Sequence, residues 1–272
     1  MPVGCFLGFF NPGPNRSISI YFCYIHHNEN LPLMVEGWLT GIVTKLVDAT
    51  HNTRRFWIQI PDLEAFHFKP GQFVTLDLPI HEKKNKRWRS YSIASWPDGT
   101  NTFELVIVLL EGGAGSTYLF NEIKVGSELQ VRGPQGVFVL PDSLEQELFL
   151  ICTGTGIAPF RSMVHYIHQH QVKHAPIHLI FGCRYQQDLL YADELGQLAA
   201  EMPGFHYIPT LSRDHDWTGH KGYVHQVYEQ MLEHRPPANF YLCGWKAMID
   251  EAKQRIMALG YDRHAIHQEL YG

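Results

Sequence analysis

Hydrophobic and polar residues follow two different rhythms along the chain, and the first runs from Trp38 to Leu140. Short β-rich runs punctuated by turns, with KPGQ and PDGT as turn signals, are typical of an antiparallel barrel. The six runs are WLTGIVTKLV, RFWIQI, FVTLDLPI, RSYSIAS, TFELVIVLL and ELQVRGPQGVFVL. Only STYLFNEI has a helical pattern in this part of the chain. We therefore predict that residues 34–141 form an antiparallel β-barrel domain that contains one helix.

After Pro141, short apolar runs alternate with amphipathic helices. The predicted strands are ELFLICT, PIHLIFGCR, HYIPTLS, NFYLCGW and IHQEL, and the predicted helices are APFRSMVHYIHQH, ADELGQLAAEM, VHQVYEQMLE and KAMIDEAKQRIMALG. This alternation predicts a parallel sheet covered by helices on both faces. We expect an α/β domain at residues 142–272, with ligands at the carboxyl ends of its strands.

Residues 1–33 precede both patterns. They lack the basic start of a secretory signal, and NPGPN interrupts their apolar residues. We interpret them as an extension outside the fold, with an interfacial membrane anchor as the alternative. No stretch reaches the roughly 20 apolar residues needed to span a bilayer.

Composition excludes several classes of function. The net charge is −5, which gives no general attraction to nucleic acid or to an anionic membrane. Five widely spaced cysteines without a CxxC motif argue against a disulfide framework, a zinc ribbon or a plant-type iron–sulfur cluster. We expect a cytoplasmic monomer with neither a metal site nor a nucleic-acid partner.

Two glycine-containing stretches are candidate anion sites. CTGTGIAPFRSM follows the first parallel strand, and Gly154 and Gly156 would let a pyrophosphate approach the start of the next helix. A tight strand-to-helix turn is the alternative interpretation. EGGAGSTYL places Gly112, Gly113 and Gly115 at the start of the helix in the barrel half, as a second candidate cradle.

The strand RWRSYSIAS alternates so that Arg89 and Tyr91 share one face, while Ser90 and Ser92 share the other. An arginine can bind phosphate oxygens through both nitrogens, and a tyrosine ring can lie flat against an aromatic cofactor. An ordinary strand with one exposed face would show the same pattern.

Five motifs in order and approximate spacing make the chain similar to the ferredoxin–NADP reductase family. They are RSYS, GAGSTYL, GTGIAPF, YLCG and the terminal ELY, and the resemblance covers about residues 36–272. It implies a flavin-binding antiparallel barrel followed by a nicotinamide-nucleotide-binding α/β domain. Two positions depart from the pattern, because Ser90 and Trp245 stand where relatives commonly have proline.

The resemblance also implies roles for individual residues. Arg89 would contact the flavin phosphates, Tyr91 would stack on the isoalloxazine ring, and Ser92 would lie near the hydride-accepting N5 atom, followed by Ile93 in the same cofactor-contacting run. The pyrophosphate would be held by Gly113, Gly115 and Ser116, which implies FAD. The nicotinamide nucleotide would be received by Thr153, Gly154, Thr155 and Gly156.

The remaining implied roles concern the nicotinamide ring. Cys243 would lie beside that ring, although a small buried thiol at a strand end is the alternative. Glu269 would orient the nicotinamide or support proton movement. Tyr271 would cover the flavin face that the nicotinamide must occupy, and Gly272 extends the chain one residue beyond it.

Cations near predicted strand ends favour NADPH over NADH, because NADPH carries an additional 2′-phosphate. The candidate residues are Arg184, Ser212, Arg213, Lys221 and Tyr223. Asp214 and Asp216 follow immediately and could neutralise the charge of Arg213. NADH therefore remains the alternative nucleotide.

The segment HEKKNKRWR, residues 81–89, is strongly basic in an otherwise acidic protein. It is either a solvated loop or a docking rim for an acidic electron carrier such as ferredoxin or flavodoxin. We therefore predict an FAD-dependent NADPH oxidoreductase that exchanges electrons with such a carrier. The alternatives are an NADH-preferring oxygenase reductase component or free-flavin reductase, and a flavin redox sensor without turnover.

Overall fold

The computed structural model describes residues 37–271, with only the backbone of Tyr271 included. The predicted extension at residues 1–33 lies outside the described residues. Within residues 37–271, no helix combines the length and the apolar character that crossing a bilayer requires.

The first half of the described chain forms an antiparallel six-stranded sheet in the order β4-β3-β6-β1-β2-β5. The edge strands β4 and β5 are joined by a bridge between Ile93 and Leu105, and by the Ala94 N–H, which donates to the Glu104 carbonyl at 2.8 Å. This confirms the predicted antiparallel architecture. The elements are β1 (Leu39–Thr50), β2 (Thr53–Gln59), β3 (Phe73–Asp77), β4 (Trp88–Ser92), β5 (Thr102–Val108), α1 (Ala114–Asn121) and β6 (Glu128–Gln135).

The second half forms a parallel six-stranded sheet in the order β10-β9-β8-β7-β11-β12, as predicted. The short β10 was not predicted, because two residues carry no periodic signal. The strands are β7 (Glu147–Thr153), β8 (Ile177–Cys183), β9 (Phe205–Leu211), β10 (His220–Lys221), β11 (Ala238–Trp245) and β12 (Ile266–Tyr271). The helices are α2 (Ile157–Gln169), α3 (Ala192–Glu201), α4 (Val224–Met231) and α5 (Lys246–Ala258).

Both faces of this sheet are buried, which explains the continuous apolar run of β7. Leu148 and Leu150 belong to the core formed with α2 and α3. Phe149 and Ile151 belong to the opposite core, formed with α4 and α5. Alternate residues of one strand thus serve two cores, as expected for a parallel sheet between helical layers.

The strand order changes direction at β7. From β7 the chain proceeds outward through β8, β9 and β10, and it then returns to the other side of β7 as β11 and β12. The loops that follow β7 and β11 therefore diverge from neighbouring strand ends. Such a switch point is where open α/β sheets bind their ligands.

Helix α2 also packs against the first sheet. Its core cluster includes Ala94, Val106 and Phe138 from the first half. The ring of Phe138 lies 5.9 Å from that of Phe160 and 5.2 Å from that of Tyr241. The two sheets therefore share one continuous core along α2.

Hydrogen bonds between charged groups also connect the two sheets. One of these groups is Arg161 of α2, which is only 4% exposed. Its Nη1 atom donates to the Ala94 carbonyl at 2.8 Å and to Oε2 of Glu104 at 3.1 Å. Glu104, in β5, is 2% exposed and also accepts from Nε of Arg55 at 2.6 Å and from the Tyr191 hydroxyl at 2.7 Å. A buried carboxylate of the first sheet is thus held by groups from both halves.

Glu194 of α3 completes this arrangement, which we call the junction network: Arg55, Glu104, Arg161, Tyr191 and Glu194. Arg161 donates to Glu194 through Nε at 2.6 Å and through Nη2 at 3.0 Å. His165 lies 2.6 Å from the same carboxylate and stacks on Trp96 at 4.0 Å. Burial favours a higher pKa for Glu194, but the hydrogen bonds from His165 and Arg161 outweigh it and lower the pKa to about 2.

The depressed pKa of Glu194 predicts an acid-sensitive junction. Between its ordinary pKa of 4.5 and about 2, the unfolded chain binds the proton more readily than the folded one. The stabilisation is therefore complete above this window and is lost as pH falls through it. We expect Glu194→Gln to remove on the order of 1–3 kcal/mol of this pH-dependent stability, measured by urea unfolding at pH 6 and pH 3.

Asp193→Asn is the matched control, because this neighbouring carboxylate is exposed in the same helical turn. It should retain the wild-type loss of stability between the two pH values. An equally steep loss in Glu194→Gln would contradict the assigned role of Glu194.

Candidate active site

A hydrogen bond between the two sheets marks the centre of the candidate site. Oγ of Ser92 donates to Oε2 of Glu269 at 2.6 Å, although the two residues are 177 positions apart. Ser92 ends β4 and is 4% exposed, whereas Glu269 lies in β12. Burial, the largest influence, raises the pKa of the Glu269 carboxyl, while the bond from Ser92 acts in the opposite direction. A carboxyl in this setting can hold a proton at a higher pH than an exposed glutamate.

Strand register brings Cys243 next to this pair. Cys243 of β11 pairs with Glu269 of β12 on one side and with Cys152 of β7 on the other. Its side chain is fully buried. A Cβ atom at Gly156 would lie 2.4 Å from the Cys243 carbonyl oxygen, so only glycine allows the turn after β7 to pack on the end of β11.

The turn that follows β7 is built for close backbone approach. Gly154 has φ +55°, in the left-handed region, and begins a short 3₁₀ turn that leads into α2. Pro159 lies in the first turn of α2, where its missing N–H costs no hydrogen bond. The start of α2 therefore presents backbone N–H groups and a partial positive charge at the switch point, which suits a pyrophosphate.

The end of β11 is fixed against this turn. The Trp245 N–H donates to Oγ1 of Thr153 at 3.4 Å. Gly244 has φ +132°, and a Cβ atom there would lie 2.5 Å from the same oxygen. The Thr153–Gly156 turn and the end of β11 thus form one packed unit.

Arg89 and the start of α1 form a second candidate anion site. A Cβ atom at Gly115 would lie 2.9 Å from Cγ of Arg89, so the arginine side chain rests directly on the first turn of the helix. Its Nη1 atom donates to the carbonyls of Lys86 at 3.1 Å and of Trp88 at 2.8 Å. A guanidinium beside a glycine-rich helix start fits the phosphate groups of a dinucleotide such as FAD.

Tyr91 and Ser116, two further residues predicted to bind the flavin cofactor, have different surroundings. Tyr91 is largely buried, and burial raises its pKa to about 12 despite the opposing charge of Arg89. The Ser116 hydroxyl accepts from the Leu110 N–H at 3.0 Å and donates to the Gly113 carbonyl at 3.1 Å. It therefore supports the loop that carries the cradle.

Ile93 lies in the barrel core with its side chain fully buried. Its N–H donates to the Gln72 carbonyl at 3.0 Å. Its predicted cofactor role stays a prediction.

Five predicted nucleotide-binding residues gather near the carboxyl ends of β8, β9 and β10. The Arg213 N–H donates to the Arg184 carbonyl at 3.0 Å, which places these two segments side by side. Oγ of Ser212 donates to the Cys183 carbonyl at 3.3 Å, and Nζ of Lys221 donates to the His215 carbonyl at 2.8 Å. Tyr223 is 68% exposed at the start of α4.

Asp214 has partners other than Arg213. Its carboxylate accepts from the N–H of Gln186 at 3.0 Å and from that of Asp216 at 3.2 Å. Within residues 37–271, neither Arg184 nor Arg213 takes part in an ion pair. Both exposed guanidinium groups are therefore available to an anionic ligand.

The last predicted site residue is Tyr271. Its backbone pairs with Trp245 at the end of the sheet. Its side chain lies outside the described residues, so the predicted cover over the flavin face stays a prediction.

Sequence reasoning did not find the junction network that holds the two sheets together. Two signals could have pointed to it. Glu104 is the lone carboxylate in the apolar strand TFELVIV, and Arg161 stands within the almost completely buried first half of α2. A charged residue in such a position normally has a buried partner.

Known protein families match both halves of the chain. The description "Oxidoreductase FAD-binding domain" matches residues 40–140, and "Oxidoreductase NAD-binding domain" matches residues 150–254. The first match contains nearly all of the antiparallel sheet, and the second contains most of the parallel sheet but ends before β12.

Individual proteins show the same similarity. Ferredoxin–NADP reductase B of Sorangium cellulosum is 36% identical over 219 residues, covering 77% of this chain and 88% of that protein. The toluate 1,2-dioxygenase electron transfer component of Pseudomonas putida is 32% identical over 230 residues, covering 84% of this chain and 66% of the relative. A ferredoxin NADP⁺ reductase from Neisseria gonorrhoeae, solved with bound FAD and NADP, has a TM-score of 0.73 at 25% identity, covering 86% and 98% of the two chains.

Proposed function

Because the chain belongs to the ferredoxin–NADP reductase family of flavoprotein oxidoreductases, we propose that it exchanges electrons between NADPH and a small acidic carrier protein such as ferredoxin or flavodoxin. The observation that supports this proposal most strongly is the Ser92–Glu269 hydrogen bond. It joins the antiparallel sheet, which lies almost entirely within the FAD-binding match, to β12, the edge strand of the parallel sheet that contains most of the NAD-binding match. We place the FAD-binding domain at residues 34–141 and the nicotinamide-nucleotide-binding domain at residues 142–272.

When bound, FAD would supply the chemistry that links two-electron hydride transfer to one-electron transfer. The residues of this chain would supply alignment, charge and a site closed to water. Arg89 and the start of α1 would bind the FAD phosphates, and Tyr91 would stack on the flavin ring. The Thr153–Gly156 turn would hold the nucleotide at the start of α2, with Cys243 beneath the nicotinamide ring.

Ser92 and Glu269 would hold and transfer the proton at this site. The Ser92 hydroxyl points to the Glu269 carboxylate, which fixes the orientation of both groups. Because burial raises the pKa of Glu269, this carboxyl can carry a proton and pass it through the serine hydroxyl. We propose that this pair is the proton relay beside the hydride-accepting atom.

The preference for NADPH rests on the cations beyond β8 and β9. Arg184 and Arg213 are exposed, and their backbones are linked to each other. Asp214, which could have neutralised Arg213, is bound to two backbone N–H groups instead. These side chains would bind the 2′-phosphate, which NADH lacks.

We expect Arg213→Ala to lower kcat/KM for NADPH by roughly 10- to 100-fold, because a hydrogen bond to a charged group contributes about 1.5–3 kcal/mol. The value for NADH should change little. Steady-state reduction of ferricyanide with each nucleotide provides the measurement. Arg263→Ala is the control, because this exposed arginine precedes β12 at the opposite end of the sheet. Equal losses with both nucleotides in Arg213→Ala would contradict the 2′-phosphate assignment.

The docking surface for the carrier is the basic segment before β4. Lys83, Lys84 and Lys86 are exposed around a 3₁₀ turn. Arg87 is paired instead with Asp77 at 2.7 Å. The three lysines adjoin Trp88 and Arg89, so a carrier bound there would lie beside the proposed flavin site. Positive charge at this position would steer an acidic partner.

Replacing Lys83, Lys84 and Lys86 together by alanine should slow the NADPH-driven reduction of an acidic ferredoxin at low salt by roughly tenfold or more, and should flatten its dependence on ionic strength. Reduction of ferricyanide should stay the same. A triple-alanine variant at Lys124, Lys173 and Lys253 removes the same charge elsewhere and should behave like the wild type. An unaltered ferredoxin rate and salt slope in the first variant would eliminate this surface as the docking site.

A reductase component of an oxygenase is the second candidate, favoured by the similarity to the toluate 1,2-dioxygenase component. The chain spans 66% of the length of that relative. Its five cysteines are too widely spaced for a plant-type cluster motif. The two candidates differ in the nucleotide they prefer and in the carrier they reduce.

A further inference from the structure

The proposed function requires a proton to leave the site. NADPH gives up a hydride, which is one hydrogen nucleus with two electrons, and two carrier molecules each accept one of those electrons. The hydrogen that remains must therefore leave as one proton for each NADPH that is oxidised. Ser92 is only 4% exposed, so its hydroxyl has little direct access to water. The proton needs a route from Ser92 to the surface of the protein.

Glu269 is the first group on such a route, and its own strand supplies the next. Successive side chains of a β-strand point to opposite faces, so residues two positions apart share a face, with their Cα atoms roughly 6.5 Å apart. His267 therefore lies on the same face of β12 as Glu269. The pattern of exposure agrees, because Gln268 and Leu270 are exposed whereas His267 and Glu269 are partly buried.

Contacts with β11 fix the position of the His267 ring. The strand register places His267 opposite Tyr241, and it places Glu269 opposite Cys243. The imidazole stacks on the Tyr241 ring, with the ring centroids 4.5 Å apart and an angle of 24° between the planes. Tyr241 is held in turn by its hydroxyl, which donates to the Val139 carbonyl at 2.9 Å. The imidazole thus has a defined place beside Glu269.

The chemistry of an imidazole suits proton transfer near neutral pH, because each ring nitrogen can take up or release a proton. Burial lowers the pKa of His267 from its ordinary value of 6.5, and burial raises the pKa of Glu269 from 4.5. These opposite shifts bring the proton affinities of the two groups closer together, which favours transfer between them.

The surroundings of His267 leave it able to exchange protons with water. Within residues 37–271, no hydrogen bond uses its imidazole, so both ring nitrogens can bind water. Burial is the cause of its lowered pKa, without a contribution from a charged neighbour. The titratable groups that share its face of β11 and β12 are Tyr241, Cys243 and Glu269.

We propose that His267 passes the proton from Glu269 to the solvent. The Ser92 hydroxyl gives its proton to the Glu269 carboxylate as it takes up the one released at the reacting centre. Glu269 then passes a proton to a ring nitrogen of His267 through a bridging water, and His267 releases a proton to bulk water. Only O–H and N–H bonds form and break, and each group ends the cycle as it began. This inference rests on the proposed function, which places the hydride-accepting atom beside Ser92.

The test separates the two halves of the reaction in the FAD-loaded protein. His267→Phe keeps a ring against Tyr241 but cannot carry a proton. Anaerobic reduction by NADPH should keep its wild-type rate, because no proton leaves the site in that half. Reoxidation by ferricyanide, a one-electron acceptor, should slow by roughly tenfold or more. A pH-indicator dye should report proton release slowed by the same factor.

Rescue by imidazole distinguishes proton transfer from a structural role. His267→Ala leaves a space that free imidazole can occupy, so added imidazole should restore reoxidation in proportion to its concentration. It should not restore reoxidation in His267→Phe, where the ring fills the space. His264→Ala is the matched control, because this exposed histidine precedes β12 and should leave both rates unchanged. Thermal unfolding of each variant verifies that it is folded.

A second measurement is independent of turnover. The histidine C2–H signal that disappears in His267→Phe identifies His267, and its titration by NMR gives the pKa. Glu269→Gln should lower that pKa by roughly 0.3, because an ionised carboxylate nearby favours the protonated imidazole.

Wild-type reoxidation and proton release in both His267 variants would overturn the inference alone. So would an unchanged pKa of His267 in Glu269→Gln, or slow reoxidation of His267→Ala that imidazole leaves unaltered. A wild-type protein whose FAD is not reduced by NADPH or by NADH would overturn the proposed function together with the inference.

Discussion

The arrangement of the two sheets depends on one buried ion pair, between Arg161 of α2 and Glu104 of β5. Both side chains are almost completely buried, and each has further partners on its own side of the boundary. Removing either side chain would leave the other with only one oppositely charged partner in a buried position, so the junction should be weakened. An apolar contact between the same elements would tolerate small rotations, whereas this pair accepts only one orientation with all its hydrogen bonds made.

The same arginine connects the pair to the candidate site. Arg161 donates to the Ala94 carbonyl, two residues after Ser92, and it lies on α2, which begins directly after the Thr153–Gly156 turn. A rotation between the sheets would therefore move Ser92 relative to both Glu269 and the turn. In the proposed function, the junction network would hold the two halves of the site in register without contacting the reacting groups, because catalytic groups must be held within roughly 0.5 Å of their productive geometry.

Sequence reasoning predicted the order and type of nearly all the elements, because each strand and helix carries its own periodicity. The runs before Pro141 became antiparallel strands, and those after it became parallel strands and helices. The five motifs indicated the family, which the matches to known proteins confirmed. The hydrophobic pattern did not predict β10, because a strand of two residues is too short to show a periodicity.

Contacts between distant residues could not be read from the sequence. The Ser92–Glu269 bond depends on how the two sheets are docked, and nothing local to either residue indicates the other. The partners of Asp214 were also inaccessible, because an adjacent arginine is the obvious partner in sequence, whereas the fold supplies the Gln186 N–H. The predicted role of Ile93 stays a prediction, and the fold adds that its side chain belongs to the barrel core.

In the proposed function, the docked sheets present a nicotinamide nucleotide directly to a flavin held by the barrel. Anaerobic stopped-flow mixing of the purified, FAD-loaded protein with NADPH tests it most directly. We expect the visible flavin absorbance to be bleached within one turnover, and more slowly when the transferred hydrogen of NADPH is deuterium. FAD that stays oxidised in the presence of both NADPH and NADH would contradict the proposed function and would favour a flavin-binding sensor without turnover.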